Sequence, residues 1–168
     1  MRNKTKNLAH GALLAALYVA LTYLQDLLIP GSSSWVIQFR ASEALCILAF
    51  FTPAAIPGLT IGCFLFNISY AAALPLDFAV GSLATLAATA GMYLTRRVTV
   101  KGYPLPGMLL PALFNSLLVG WELTLYIGSG FRINALSVFA GEAAVLLTLG
   151  SALYWVMQRR GLALRLFC

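Results

Sequence analysis

Acidic side chains are the chemically informative residues of this chain, because there are only five of them among 168 residues. Two of them, Glu122 and Glu142, lie in stretches that are otherwise apolar. Inserting a charged residue at the centre of a membrane helix costs about 2.5–3.5 kcal/mol even on insertion-based scales. A charged residue in such a span is therefore a candidate for a functional role. A carboxylate held there could accept hydrogen bonds from paired N–H donors or bind a cation. The pattern therefore favours a ligand-binding site.

A second polar group begins with Gln38, Arg40 and Glu43, which lead directly into an apolar run. Arg40 and Glu43 are three residues apart, so on a helix they share a face and can form an ion pair. The pair could brace the fold or line the site, and the spacing decides for neither. Asn115 and Glu122 are seven residues apart and also share a helix face. The charged and amide residues of the candidate site are Arg40, Glu43, Asn67, Asp77, Asn115, Glu122 and Glu142.

Some of these candidates, and the aromatic residues near them, have ordinary structural explanations. Asp77 lies at a predicted helix start, where N-capping is a stronger expectation than a ligand contact. Trp121 and Tyr126 lie at the predicted level of the site and could stack on a flat ligand. They could equally belong to the aromatic belt at the membrane surface, which is the preferred interpretation for Trp35.

Composition places the chain in a membrane. Apolar residues make up 61% of the sequence and charged residues only 10%, whereas soluble domains carry about 25% charged residues. At about 20 residues per membrane helix, the length accommodates about five to seven helices in a single domain. The net charge of +6 does not indicate nucleic-acid binding, because the basic residues lie at the ends of apolar spans, where orientation signals lie.

Apolar runs and their breaks predict an all-α membrane protein, in which residues 1–168 form one bundle of six transmembrane helices. Pro111 lies inside the fifth span and predicts a kink. Gly58 and Gly62 in the third span are expected to pack the bundle, because small residues allow close helix approach. The helices are predicted at about residues 8–28, 35–51, 58–73, 77–95, 105–127 and 135–157.

Basic residues predict the orientation. Nine of the eleven lie in the N-terminal segment, the loop after span four and the C-terminal tail, and only Arg40 and Arg132 lie on the other side. By the positive-inside rule both termini are cytoplasmic, in a protein that crosses the bacterial cytoplasmic membrane several times. All five acids then lie in the outer half of the protein. The cytoplasmic halves of the spans are nearly free of polar residues, which favours an outward-facing cup over a pore.

Motifs for catalysis are absent. The sequence contains no nucleotide-binding P-loop, no zinc-protease helix and no serine-nucleophile elbow, and its single histidine lies far from the acids. The three cysteines, Cys46, Cys63 and Cys168, have no metal-ligand spacing. We therefore expect no enzyme, no metal site and no cofactor in this chain.

The chain resembles a known family at three stretches, QFRASEAL (38–45), PGLTIGCFLFN (57–67) and LPLDFAVGSLAT (74–85). Together with six spans, inside termini and small residues at four-residue spacing in span one, they resemble the substrate-binding S component of an energy-coupling factor transporter, of the QueT type. The resemblance implies uptake of a queuosine precursor. It also implies that Ala12 and Ala16 contact a transmembrane coupling subunit, and that two cytoplasmic ATPases hydrolyse ATP to drive transport.

The implied ligand, a 7-deazaguanine such as preQ1, preQ0 or queuine, fits the candidate residues chemically. Its adjacent N–H donors suit one carboxylate, an aminomethyl group suits a second, and its flat ring suits Trp121 or Tyr126. Which of Glu122 and Glu142 meets which group stays open. The alternatives are an S component for another flat vitamin or nucleobase and, from a different class, a small homo-oligomeric channel.

Orientation gives the first testable prediction. A cysteine introduced at Ser33, in a variant whose native cysteines are replaced, is expected to react with an impermeant thiol reagent in intact cells, because residues 32–34 form an outer loop. A cysteine at Thr99, in the basic loop, should react only after the cells are opened. Labelling at Thr99 and not at Ser33 in intact cells would reverse the predicted orientation.

Overall fold

A computed structural model describes residues 2–32, 39–71, 73–128, 130–159 and 161–167. The side chains of residues 2, 3, 164 and 165 lie outside this description. The elements are α1 (Arg2–Leu28), a 3₁₀ helix (Ala41–Phe50), α2 (Ala55–Ser69), α3 (Asp77–Leu94), α4 (Leu105–Met108), α5 (Leu110–Ile127), α6 (Phe131–Val145), a π-helical turn (Leu146–Gly150), α7 (Ser151–Arg159) and α8 (Leu162–Phe167).

Helices account for all of the regular structure in the described residues, apart from one isolated β-bridge between Val100 and Tyr103. Three helical stretches of the described chain are long and apolar enough to cross a membrane, at residues 4–28, 105–127 and 131–159. The helices at 41–50 and 55–69 are apolar but shorter. The expectation of an all-α membrane protein is thus confirmed, while six spans and cytoplasmic termini stay predictions.

Helix boundaries differ from the predicted ones for identifiable reasons. The third predicted span starts before Pro57 rather than after it, because proline is tolerated in the first turn of a helix, where its missing N–H has no partner to lose. It ends at Ser69, where Tyr70 turns extended. The second predicted span is a 3₁₀ helix that begins at Ala41. Its predicted start at residue 35 lies outside the described residues.

Pro111 interrupts the fifth span, as expected, but the break comes two residues earlier. The helix stops at Met108 and restarts at Leu110, which makes Pro111 a first-turn residue of α5. The π-helical turn after α6 was not predicted, and such turns have no strong sequence signal although they occur often at functional sites. It starts four residues beyond Glu142.

The 3₁₀ helix is the central element of the bundle. It packs against α1, α2, α3, α6, α7 and the π-helical turn, and its residues from Ser42 to Phe50 are buried except Leu45. An apolar core surrounds its later turns, with Ile47, Leu59 and Met92 all fully buried. Polar side chains occupy its first turn. The element therefore joins an apolar core at one end to a polar one at the other.

Glycines set the distance between α1 and α2. A Cβ added at Gly58 would lie 2.6 Å from the carbonyl oxygen of Gly11, and one added at Gly62 would lie 2.8 Å from Cβ of Tyr18. Neither contact is tolerable without movement of the backbone. The expectation that Gly58 and Gly62 pack the bundle is confirmed, and Gly62 in particular makes room for Tyr18.

Substitution of Gly58 tests this packing. Gly58→Ala is expected to destabilise the protein by about 1–3 kcal/mol, because the methyl group has to push two backbones apart. Gly130→Ala is the matched control, since that position is open and its φ of −63° suits an L-residue. Thermal unfolding in detergent measures both variants. A Gly58 variant as stable as the Gly130 variant would contradict the close approach.

Candidate ligand-binding site

Seven polar residues predicted for the site are buried inside the bundle, each at most 5% exposed. They come from five places along the chain: the start of the 3₁₀ helix, the end of α2, the start of α3, the inward face of α5 and the last turn of α6. We call them the polar cluster. Its members are Arg40, Glu43, Asn67, Asp77, Asn115, Glu122 and Glu142.

Arg40 is the basic residue at the centre of the polar cluster, and the described buried residues include no other lysine or arginine. It directly precedes the 3₁₀ helix, and its guanidinium lies against α3, where a Cβ added at Gly81 would come within 3.8 Å of Nη1. The guanidinium interacts electrostatically with Asp77 and Glu43, and it also acts on Glu122 and Glu142. Arg40 is therefore within electrostatic range of all four buried acids.

Glu43 is held by donors from two helices. The Tyr18 hydroxyl of α1 donates to Oε1 at 2.5 Å, and the Cys46 thiol donates to Oε2 at 3.2 Å. One residue away, Thr22 donates to the Ser42 hydroxyl at 2.7 Å. With both oxygens occupied and Arg40 nearby, Glu43 fixes the start of the 3₁₀ helix against α1.

Asp77 is also held by the protein, but not as the predicted N-cap. The N-cap of α3 is Leu76, and Asp77 is the first helical residue. Its Oδ2 accepts a hydrogen bond from the backbone N–H of Leu74 at 2.8 Å, which closes the turn that leads into α3. Asn67 donates to the backbone carbonyl of Asp77 at 2.9 Å. The side chain of Asp77 thus stabilises the loop before the helix.

Glu122 and Glu142 differ from the other two acids. Neither oxygen of either carboxylate has a hydrogen-bond partner among the described residues, although the side chains are 0% and 1% exposed. Glu122 lies close to Asp77, and Glu142 lies close to Glu43 and beside Asn115. Each unpartnered acid is therefore adjacent to an acid that the protein already holds.

Burial of two acids without hydrogen bonds destabilises the folded protein unless a further group bonds to them. A buried polar group without a hydrogen bond costs on the order of 1–3 kcal/mol, and a buried unpaired charge costs more. The polar cluster holds four acidic side chains and one basic side chain, so the acids outnumber the cation. The geometry suits a ligand that brings N–H donors or a positive charge to Glu122 and Glu142.

Trp121 and Tyr126 are not brought into the polar cluster. Their side chains are 50% and 44% exposed. Trp121 lies about 100° around the helix from the buried Glu122, which turns it outward. The interfacial belt, the alternative interpretation, fits this exposure. The predicted belt residue Trp35, and Gln38 of the second polar group, lie outside the described residues.

The polar cluster is closed in this conformation. The sequence predicted an outward-facing cup, yet all seven side chains are shut away from solvent inside the bundle. Spacing along the chain gives the level of a residue in the bundle but not whether the ends of the helices stand apart. A ligand would reach Glu122 or Glu142 only if the surrounding elements moved.

Two residues of α1 that support the polar cluster were not predicted. Tyr18 and Thr22 are both 0% exposed and face the 3₁₀ helix. Their signal in the sequence is a spacing of four residues, which places both on one face of an otherwise apolar helix. Polar side chains in that pattern need buried partners, which are Glu43 for Tyr18 and Ser42 for Thr22.

Opposite that face, α1 presents small residues to the exterior. Ala12 and Ala16 are exposed and line an apolar groove of about 760 Å³ between α1 and α2. Gly11, Pro57 and Gly58 also line the groove. The close approach of α1 and α2 forms its floor, so the same glycines shape the packing and the surface.

Comparison with known proteins identifies a family. A family model described as the QueT transporter matches residues 8–159. A curated relative, the queuosine precursor transporter QueT of Lactococcus lactis subsp. cremoris (strain MG1363), is 40% identical over 85 residues, which are 51% of this chain and 48% of that protein. The matched stretch spans about half the length of this relative. No solved structure matches.

The family match covers nearly the whole chain and includes every residue of the polar cluster. It agrees with the resemblance found at residues 38–45, 57–67 and 74–85, and it confirms the expectation that the chain is not an enzyme. The chain belongs to the QueT transporter family.

Proposed function

We propose that this chain is the substrate-binding S component of an energy-coupling factor importer, and that it binds a queuosine precursor in the polar cluster. The observation that carries the proposal is the pair of buried carboxylates, Glu122 and Glu142, whose oxygens have no partner among the described residues. In a transporter family, a costly buried site of this kind is best explained by the substrate.

A 7-deazaguanine base matches what the polar cluster offers. Its pyrimidine ring carries adjacent N–H donors, which one carboxylate accepts as a pair, and its carbonyl oxygen accepts from an amide. The aminomethyl form also carries a positive charge, which suits the surplus of acids over Arg40. The curated relative's name refers to a queuosine precursor, and this agrees with the chemistry.

The remaining charged residues of the site act as its frame. Glu43 is occupied by Tyr18 and Cys46, and Asp77 by the Leu74 backbone. Arg40 offsets part of their charge. Because this frame holds the surrounding elements in place, the oxygens of Glu122 and Glu142 are left for hydrogen bonds to the ligand.

The groove on α1 and α2 is proposed as the docking surface for the transmembrane coupling subunit. It is apolar, it faces the exterior, and its alanines and glycines let a partner helix approach closely in lipid. Two cytoplasmic ATPases bound to that subunit would supply the energy, so ATP is used by partners and not by this chain. Both termini would face the cytoplasm from a multi-pass position in the bacterial cytoplasmic membrane.

Direct binding tests the proposed substrate. The purified protein is expected to bind 7-aminomethyl-7-deazaguanine, as measured by calorimetry. Adenine and thiamine are the control ligands, and they should not bind, because they lack its pattern of donors and acceptors. Binding of thiamine or adenine in place of the deazaguanine would move the chain to another substrate of the same transporter class. Ion conductance by the chain alone in planar bilayers, without ligand binding, would favour the channel alternative.

Bulky substitutions test the docking surface. Ala12→Leu and Ala16→Leu are expected to abolish copurification with the coupling subunit and the ATPases, because the larger side chains fill the groove. Ligand binding by the isolated protein should be unchanged, since both alanines face away from the polar cluster. Ala140→Leu, an exposed alanine of α6 outside the groove, is the control. Intact complexes with either groove variant would place docking elsewhere.

A further inference from the structure

We infer that the two unpartnered acids bind different groups of the ligand: Glu142, together with Asn115, binds the N–H and carbonyl edge of a guanine-type base, and Glu122, beside the frame residue Asp77, binds a cationic substituent. The inference rests on the proposed function, because it divides the polar cluster between two parts of one ligand.

The neighbours of Glu142 carry the first half of the assignment. Asn115 lies beside the Glu142 carboxylate, so an acceptor pair and an amide with two N–H donors stand together. The edge of a guanine-type base presents two adjacent N–H donors followed by a carbonyl acceptor. A carboxylate next to an amide is complementary to that order, whereas two carboxylates together are not, because the carbonyl would meet a second acceptor.

The neighbours of Glu122 carry the second half. Glu122 has another carboxylate, that of Asp77, as a neighbour. Asp77 already accepts a hydrogen bond from the backbone N–H of Leu74. Arg40 acts on both, but the same guanidinium also serves Glu43 and Glu142. Two neighbouring acidic groups, whose nearby guanidinium also interacts with two other acids, suit a further cation. An alkylammonium group on the ligand supplies it.

The two acids have one neighbour in common, the Arg40 guanidinium. Glu122 lies near the first residue of α3, and Glu142 lies near Glu43 in the first turn of the 3₁₀ helix. Arg40 interacts with Glu122 and with Glu142 from its position against α3. In an aminomethyl deazaguanine the amine is on the five-membered ring, away from the N–H pair of the six-membered ring. The ligand therefore has its two recognition groups at separate ends.

The test compares two ligands on two variants. Glu142→Gln is expected to weaken both 7-aminomethyl- and 7-cyano-7-deazaguanine by roughly 30-fold or more, because the N–H pair is common to them. Glu122→Gln should weaken the aminomethyl ligand by roughly 30-fold and the uncharged cyano ligand by no more than about threefold. Calorimetry on purified protein gives the four affinities, and thermal unfolding checks that each variant is folded.

A ligand series on the wild-type protein keeps the test decisive if Glu142→Gln does not fold. Removal of the exocyclic amino group from the base should weaken binding by at least about tenfold, as expected for a lost charge-assisted hydrogen bond. Asn115→Ala should weaken the aminomethyl and cyano bases to a similar extent, because it removes a donor to their shared carbonyl.

The outcomes separate the inference from the proposed function. A cyano ligand that loses affinity with Glu122→Gln as strongly as the aminomethyl ligand would overturn the assignment, and so would a Glu142→Gln effect confined to the aminomethyl ligand. In either case the protein still binds a deazaguanine, so the proposed function stands. A wild-type protein that binds neither base contradicts the proposed function itself.

Discussion

The constraint on which this structure depends is the burial of four carboxylates and one guanidinium in a largely apolar bundle. Charges in such a place are tolerated only when donors or counter-charges surround them. The protein supplies hydrogen-bond donors for Glu43 and Asp77, whereas the oxygens of Glu122 and Glu142 have no hydrogen-bond partner among the described residues. The unequal treatment of the four acids is the basis for considering two of them as frame and two as ligand contacts.

The frame explains why α1 has two distinct faces. Tyr18 and Thr22 point inward and bond to the first turn of the 3₁₀ helix, while Ala12 and Ala16 line the exterior groove. Glycines of α2 bring the two helices close enough for both arrangements. One helix thus carries the support of the site and the proposed docking surface, so a change in the site has a short physical route to the exterior.

Much of the architecture could be predicted from the chain because apolar runs and prolines mark helices directly. The level of the acids followed from the same runs, which is why Glu122 and Glu142 could be singled out. What the sequence could not supply was rotation about each helix axis. Trp121 faces outward although its neighbour Glu122 faces inward, and a one-residue step of about 100° decides between them. The pairing of Tyr18 with Glu43 joins residues 25 apart, which no local pattern encodes.

Thermal stability in the absence of ligand tests the central claim most directly. If Glu122 and Glu142 are kept for the ligand, the double variant Glu122→Gln/Glu142→Gln should unfold at a higher temperature than the wild type, because two buried acids whose oxygens have no hydrogen-bond partner among the described residues are replaced by amides. Glu43→Gln should unfold at a lower temperature, since that carboxylate is bonded to Tyr18 and Cys46 and acts on Arg40. A double variant that unfolds below the wild type would mean that both acids stabilise the fold and that the ligand site lies elsewhere.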